Sequence, residues 1–283
     1  MTDGPAAARA AVLIWLVAAW SVVTACGAIG TERASPPTLA SFPTLVGDGD
    51  AVFFVGNSFL GAGGRPLPEW VAALGHAMLP PVHLVTGSDI VFGNLPLASF
   101  LEHEATRDAL RSHQYRVYVL QGEEFEPVDR KAAFHQAVRD FNKAVLAAGG
   151  RTVLFMTWEF HFRPFIDALA ASYDEIGAEL GIPVIPVGLI YKDCDRRPYR
   201  NAAPFWLTAS VEKPAGDLHQ NEKGTAVNTY ATFAMLTGLD PMGATFEAPG
   251  NTNSNDAMKY FSAMAWARVA PRLTAIKPVN AAR

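Results

Sequence analysis

The run Val52-Phe53-Phe54-Val55-Gly56-Asn57-Ser58-Phe59 constrains this chain more than any other. Its unbroken β-branched and aromatic stretch, with no polar alternation, suits a strand buried on both faces. Such a strand belongs in a parallel sheet covered by helices on each side. The C-terminal ends of those strands open on the crevice where open α/β sheets hold ligands. Gly56 breaks the run, so the Ser58 hydroxyl is expected at the mouth of that crevice.

The rest of the chain repeats the pattern. Strands are expected at Ala51–Val55, Val82–Val85, Arg116–Leu120, Thr152–Thr157 and Pro183–Val187. Helices are expected between them at Pro66–Met78, Pro96–Ser112, Lys131–Ala148 and Pro164–Leu180, then at Asn221–Thr237 and Asp256–Leu273. Phe134, Val138, Phe141 and Val145 show the helical spacing, and Gly149, Gly181 and Gly238 stand where helices end. Alternating strands and helices imply an α/β fold, a three-layer α/β/α sandwich around a parallel sheet of about five strands. Tyr191 to Glu212 shows no clear period and is expected as a long loop near the strand ends. With 283 residues, half of them hydrophobic, the chain can build one sizeable core. The net charge of -4 and the lack of a long basic run argue against a nucleic-acid partner.

The N-terminus reads as a targeting segment. Ala10 to Ala25 is almost wholly apolar but shorter than the roughly 20 residues of a membrane span. It ends in Val23-Thr24-Ala25-Cys26-Gly27, which resembles a bacterial lipobox, with Cys26 as the lipidated residue. The expected organisation is a signal peptide over 1–26, a Pro- and Ser-rich tether over 27–50, one domain over 51–275 and a tail over 276–283. The expected location is the cell envelope, periplasmic or outer face, with the membrane reached through the lipid anchor. A plain signal peptide would instead give a secreted protein.

Several residues carry candidate chemistry. Ser58 at a strand exit offers a hydroxyl. Asp217-Leu218-His219, before the helix that Asn221 opens, offers an imidazole and a carboxylate that reaches its other ring nitrogen or merely caps the helix. Together these are nucleophile, base and orienter. Gly-x-Ser-x-Gly is absent around Ser58, and Gly61-Ala62-Gly63-Gly64 lacks the Lys of a phosphate loop. Glu123, Glu124 and Glu126 read first as a solvated acidic loop, with a glycosidase carboxylate pair or a metal site as alternatives. Trp158, Glu159 and His161, beyond the fourth strand, read as a substrate wall or as rim packing. Cys194, between Asp193 and Asp195, is expected to be an inert thiol. The remaining histidines lack ligand spacing, so no metal and no cofactor is expected.

Gly56-Asn57-Ser58-Phe59 and Asp217-x-His219 resemble the first and last blocks of the SGNH (GDSL-type) hydrolase superfamily. Uncharacterised bacterial members share G-N-S-F and L-Q blocks. The likeness implies an SGNH, flavodoxin-like sandwich and a catalytic triad of Ser58, Asp217 and His219. Here the family's D-x-x-H is one residue shorter. Gly93 matches the oxyanion glycine, with Gly87 as the runner-up. The third block lacks its Asn, and the Gln121 side chain would replace it beside the backbone N–H groups of Ser58 and Gly93. The activity implied is acyl-ester hydrolysis on a small-molecule or carbohydrate substrate, such as O-acetyl groups of envelope carbohydrate. A non-catalytic carbohydrate-binding protein on the same fold is the alternative, and a glycosidase using the Glu cluster is a third.

Overall fold

The strand that carries Ser58 lies inside a five-stranded parallel sheet of order β2-β1-β3-β4-β5. The structure is a computed structural model and describes residues 44–209 and 218–275. The strands are β1 (Ala51–Asn57), β2 (Val85–Val91), β3 (Val117–Leu120), β4 (Arg151–Phe155) and β5 (Val184–Ile185). The helices are α1 (Leu67–Ala77), α2 (Glu104–Ser112), the single turn α3 (Glu126–Asp129), α4 (Lys131–Ala147), α5 (Ile166–Leu180), α6 (Val187–Arg196), α7 (Glu222–Thr237) and α8 (Asn255–Leu273). Helices α1, α7 and α8 pack together, and α4 packs on α5, so helices cover the sheet in a three-layer α/β/α sandwich.

Burial follows the sequence. Val52, Phe54 and Val55 of β1, all of β3 and Val153 to Phe155 of β4 are fully buried. The chain steps from β1 outward to β2, then returns past β1 to β3. The connection therefore reverses between β1 and β3, which is where this class of sheet opens its ligand crevice. Ser58 follows β1 there, and Gln121 to Glu126 follow β3.

Four expectations need correction. The second strand is Val85–Val91 and not Val82–Val85. It is an edge strand with a single neighbour, so its Thr86, Gly87 and Ser88 stay partly exposed and carry no hydrophobic run. The expected helix Pro96–Ser112 splits into a 3-10 segment Leu97–Glu102 and α2, with His103 extended between them. Asp89 ties the break and the start of α2 to β2, meeting His103 Nδ1 at 3.3 Å and accepting from Thr106 Oγ1 at 2.7 Å. Part of the expected loop Tyr191–Glu212 is helical, as the end of α6. The tether does not run to Asp50, because Leu45 and Val46 are buried and both donate backbone N–H to the Leu236 carbonyl (2.9 and 3.0 Å). Cys26 lies outside the described residues.

Candidate active site

A 3-10 turn over Ser58–Leu60 follows β1 directly. Asn57 caps it, its Oδ1 accepting the Phe59 N–H at 3.0 Å. The anchors Phe59 and Leu60 are buried below, so the turn cannot roll. Gly56 has a specific reason to lack a side chain. A Cβ there would sit 2.5 Å from Gln121 Oε1 and 2.9 Å from Leu60 Cδ1. Its absence lets the Gln121 side chain lie against β1 and accept the Asn57 N–H at 2.8 Å.

His219 arrives from the opposite end of the sequence. Thr208 and Gln220 form an antiparallel bridge, and Ala209 N–H donates to the His219 carbonyl at 2.9 Å. Asn221 holds both sides of this bridge. Its Oδ1 caps α7 at Lys223 and Gly224, and its Nδ2 donates to the Trp206 carbonyl at 2.8 Å. Trp158 Nε1 donates to the Leu218 carbonyl at 3.1 Å. The imidazole packs beside the Phe59 ring at 5.3 Å between centroids. These constraints bring His219 Nε2 to 2.7 Å from Ser58 Oγ. With Nε2 accepting the hydroxyl proton, the ring's own proton is on Nδ1. A serine and a histidine 161 positions apart in sequence thus meet at hydrogen-bond distance, the geometry that a nucleophile and its base require. Asp217 lies outside the described residues.

The other expected site residues fall into three groups. Gly93 stands beyond β2, whose Val91 is in register with Asn57. Its φ of 140° favours glycine, and it is exposed at the same edge as the Ser58 turn. Gln121 is at the expected place but is committed as a brace. Its Oε1 takes the Asn57 N–H, which fixes the amide's direction, and its Nε2 donates to the Gly122 carbonyl. Trp158 and Glu159 do not form an open wall. Trp158 is buried against Tyr191 with ring centroids 4.6 Å apart. Glu159 is buried too, capping α5 through the Phe165 and Ile166 N–H groups and pairing with Lys192 Nζ at 2.6 Å. Only His161 of the three is exposed.

The acidic cluster is not a solvated loop, since Glu123, Glu124 and Glu126 are all buried. Burial pushes the Glu124 and Glu126 carboxyls above the usual carboxylate range. For Glu124, the neighbouring Glu123 adds to this, while Asn57 and His219 act the other way. Among the described residues no His/Cys/Asp/Glu group has metal-holding geometry. Cys194 is buried, and that burial pushes its thiol up to about 12, which makes it unreactive.

The fold has relatives among solved structures. A protein from Slackia heliotrinireducens that carries the SGNH hydrolase assignment matches at TM-score 0.50 and 19% identity, over 65% of this chain and 97% of its own. The chain has the SGNH hydrolase fold. A DUF4886 family protein from Bacteroides uniformis matches at TM-score 0.56 and 13% identity, over 81% of this chain and 99% of that one. The acetylxylan esterase Axe2 from Geobacillus stearothermophilus matches at TM-score 0.55 and 11% identity, over 70% and 98%. No protein-family model matches the chain, and no curated protein matches it in sequence. In the SGNH fold of this chain, the Ser58–His219 pair occupies the sheet's switch point.

Proposed function

We propose that the protein is a serine hydrolase that cleaves acyl esters. The observation that carries this reading is the 2.7 Å contact between Ser58 Oγ and His219 Nε2 at the C-terminal edge of β1. His219 takes the hydroxyl proton as Ser58 Oγ attacks the ester carbonyl carbon. The carbonyl π electrons move to oxygen, and the backbone N–H groups of Ser58 and Gly93 receive that charge. One such donor is typically worth about 3 kcal/mol in the transition state. The intermediate collapses as His219 passes its proton to the departing alkoxide, leaving an acyl group on Ser58. Water, deprotonated by His219, then releases the acid. Asp217 would orient the ring, and Gln121 would act indirectly by fixing the backbone at Asn57.

Acetylated carbohydrate is the substrate class we favour, supported by the acetylxylan esterase among the structural neighbours. Export with a lipid on Cys26 belongs to the same proposal, and Cys26→Ser should then release the protein from the membrane fraction. A non-catalytic carbohydrate-binding protein is the second reading. Phe92 (68% exposed) and Phe162 (55%), beyond β2 and β4, offer flat apolar faces for a sugar. A short-chain aryl ester assay separates the two. Hydrolysis that vanishes in a folded Ser58→Ala protein supports the hydrolase, and hydrolysis that persists in it refutes the Ser58 assignment.

A further inference from the structure

Glu124 has no task in the chemistry above, yet it is buried beside it. The two other carboxylates leaving β3 have structural work. Glu123 pairs with Arg130 Nη2 at 2.6 Å, and Glu126 Oε2 accepts the Leu97 N–H at 3.0 Å and the Glu123 N–H at 3.4 Å. Glu124 forms no ion pair with Lys or Arg among the described residues and is 8% exposed. Its Oε2 accepts from Asn57 Nδ2 at 3.0 Å. Asn57 is itself the cap of the Ser58 turn, and its backbone N–H is held by Gln121. A continuous strut therefore runs from the Glu124 carboxylate through the Asn57 amide to the turn that presents the nucleophile.

Resting on the serine-hydrolase reading, we infer that Glu124 is a positioning residue for the Ser58–His219 pair. Its carboxylate fixes the Ser58 turn through Asn57, and its negative charge faces the imidazole that must become positive when the hydroxyl proton is taken. Among the described residues the titratable and charged groups around it are few. Glu124 is faced by Glu123 from its own segment and by His219 from the loop before α7. Among the described residues His219 is faced by Ser58 and by Glu124, and Arg65 stands beside the next residue, its Nη2 donating to the Gln220 carbonyl at 3.4 Å; Asp217, two positions before His219, lies outside the described residues.

The stability sign separates this role from a structural one. Burial raises the Glu124 carboxyl, so folding favours its protonated form. Its contribution to stability is present below the ordinary carboxylate range and is lost as pH rises through the raised value. At neutral pH the charge costs stability. A glutamine would accept from Asn57 without that cost, so a purely structural position gains nothing from the acid. A charge helps when the barrier depends on it.

Glu124→Gln and Glu124→Ala in the full chain test the inference. For Glu124→Gln the thermal midpoint at pH 8 should equal or exceed that of the wild type. The kcat on an aryl ester should fall about tenfold or more. The NMR titration midpoint of the His219 ring, and the acid limb of the rate profile, should move down by at least about half a pH unit. Glu124→Ala should lose more activity, because Asn57 Nδ2 also loses its acceptor. If that variant does not fold, Glu124→Gln decides alone. A His219 midpoint in Glu124→Gln that falls by less than about half a pH unit from wild type overturns the inference. If the wild type hydrolyses no ester, the hydrolase reading falls, and the NMR comparison still decides the role of Glu124.

Discussion

The exits of β3 and β4 bury the same side chain in opposite ways. Glu159, beyond β4, uses both carboxylate oxygens: one accepts two backbone N–H groups at 2.9 Å and the other meets Lys192 at 2.6 Å. Glu124, beyond β3, is about as buried but accepts from the neutral Asn57 amide and has no Lys or Arg partner among the described residues. A buried carboxylate that is neutralised and fully hydrogen-bonded is explained by the fold around it. One left without a cation among the described residues, beside Ser58 and His219, is the acid for which we infer a part in the chemistry. The contrast teaches that burial alone does not sort structural from functional acids, whereas the identity of the partner does.

A region remote from both exits sets the scale for purely structural loss. A chain beginning at Asp48 lacks Leu45 and Val46, both buried in the core. Losing two such side chains costs about 3–6 kcal/mol. The thermal midpoint should fall by about 10 °C or more, and a fall under about 3 °C would show that this segment is dispensable. Glu159→Ala comes next. It strands Lys192 and two amide N–H groups, which costs about 3 kcal/mol. That corresponds to a midpoint lower by about 6–12 °C, with ester turnover per folded molecule near that of the wild type. Loss of turnover in the folded fraction, without loss of stability, would put Glu159 in the same class as Glu124 and break the comparison.

The smallest effect is expected at Asp195, on the β4 side near Glu159 and Lys192. Its carboxyl accepts the Phe205 N–H at 2.8 Å, and burial pushes it up to about 6. Because the folded value is raised, its stability contribution is present below the ordinary range near 3.8 and lost as pH rises through about 6. Asp195→Asn keeps an acceptor for Phe205. It should be more stable than wild type by a few degrees at pH 8, the gap closing as pH falls to about 4. Thermal melts across that range check it. A gap that widens toward acid would mean that the charge is stabilising, and would place Asp195 with Glu159 as a neutralised structural acid.

The legible parts of this molecule were those written in short sequence windows. Val52 to Val55 mark an interior strand because a strand buried on both faces has no polar alternation. Asn221 and Gly238 bounded α7 because caps are local. Strand β2 was hidden, since an edge strand buries little and needs no hydrophobic run. Helix α6 was legible in principle: Val187, Ile190, Tyr191 and Cys194 are buried at helical spacing, but a short helix packed directly behind β5 looks like a continuation of the strand exit. In the site, Ser58 and His219 were readable as residue types with a plausible spacing to their neighbours, yet their 2.7 Å contact depends on the whole fold. The burial of Glu123, Glu124 and Glu126 was not readable. Acids in a row after a strand look solvated until the partners, such as Asn57 and Arg130, are brought in from other elements. Trp158 and Glu159 misled for the same reason, since Tyr191 and Lys192, the groups that cover them, belong to α6.

On the serine-hydrolase reading, the seating of His219 against Ser58 makes that one serine reactive. Covalent labelling with a fluorophosphonate, followed by mass mapping of the adduct, tests it most directly. A single adduct on Ser58 is expected, forming at least about 100-fold more slowly in His219→Ala, as for loss of a general base. An adduct on a different serine, or a Ser58 adduct that forms equally fast in His219→Ala, would contradict it.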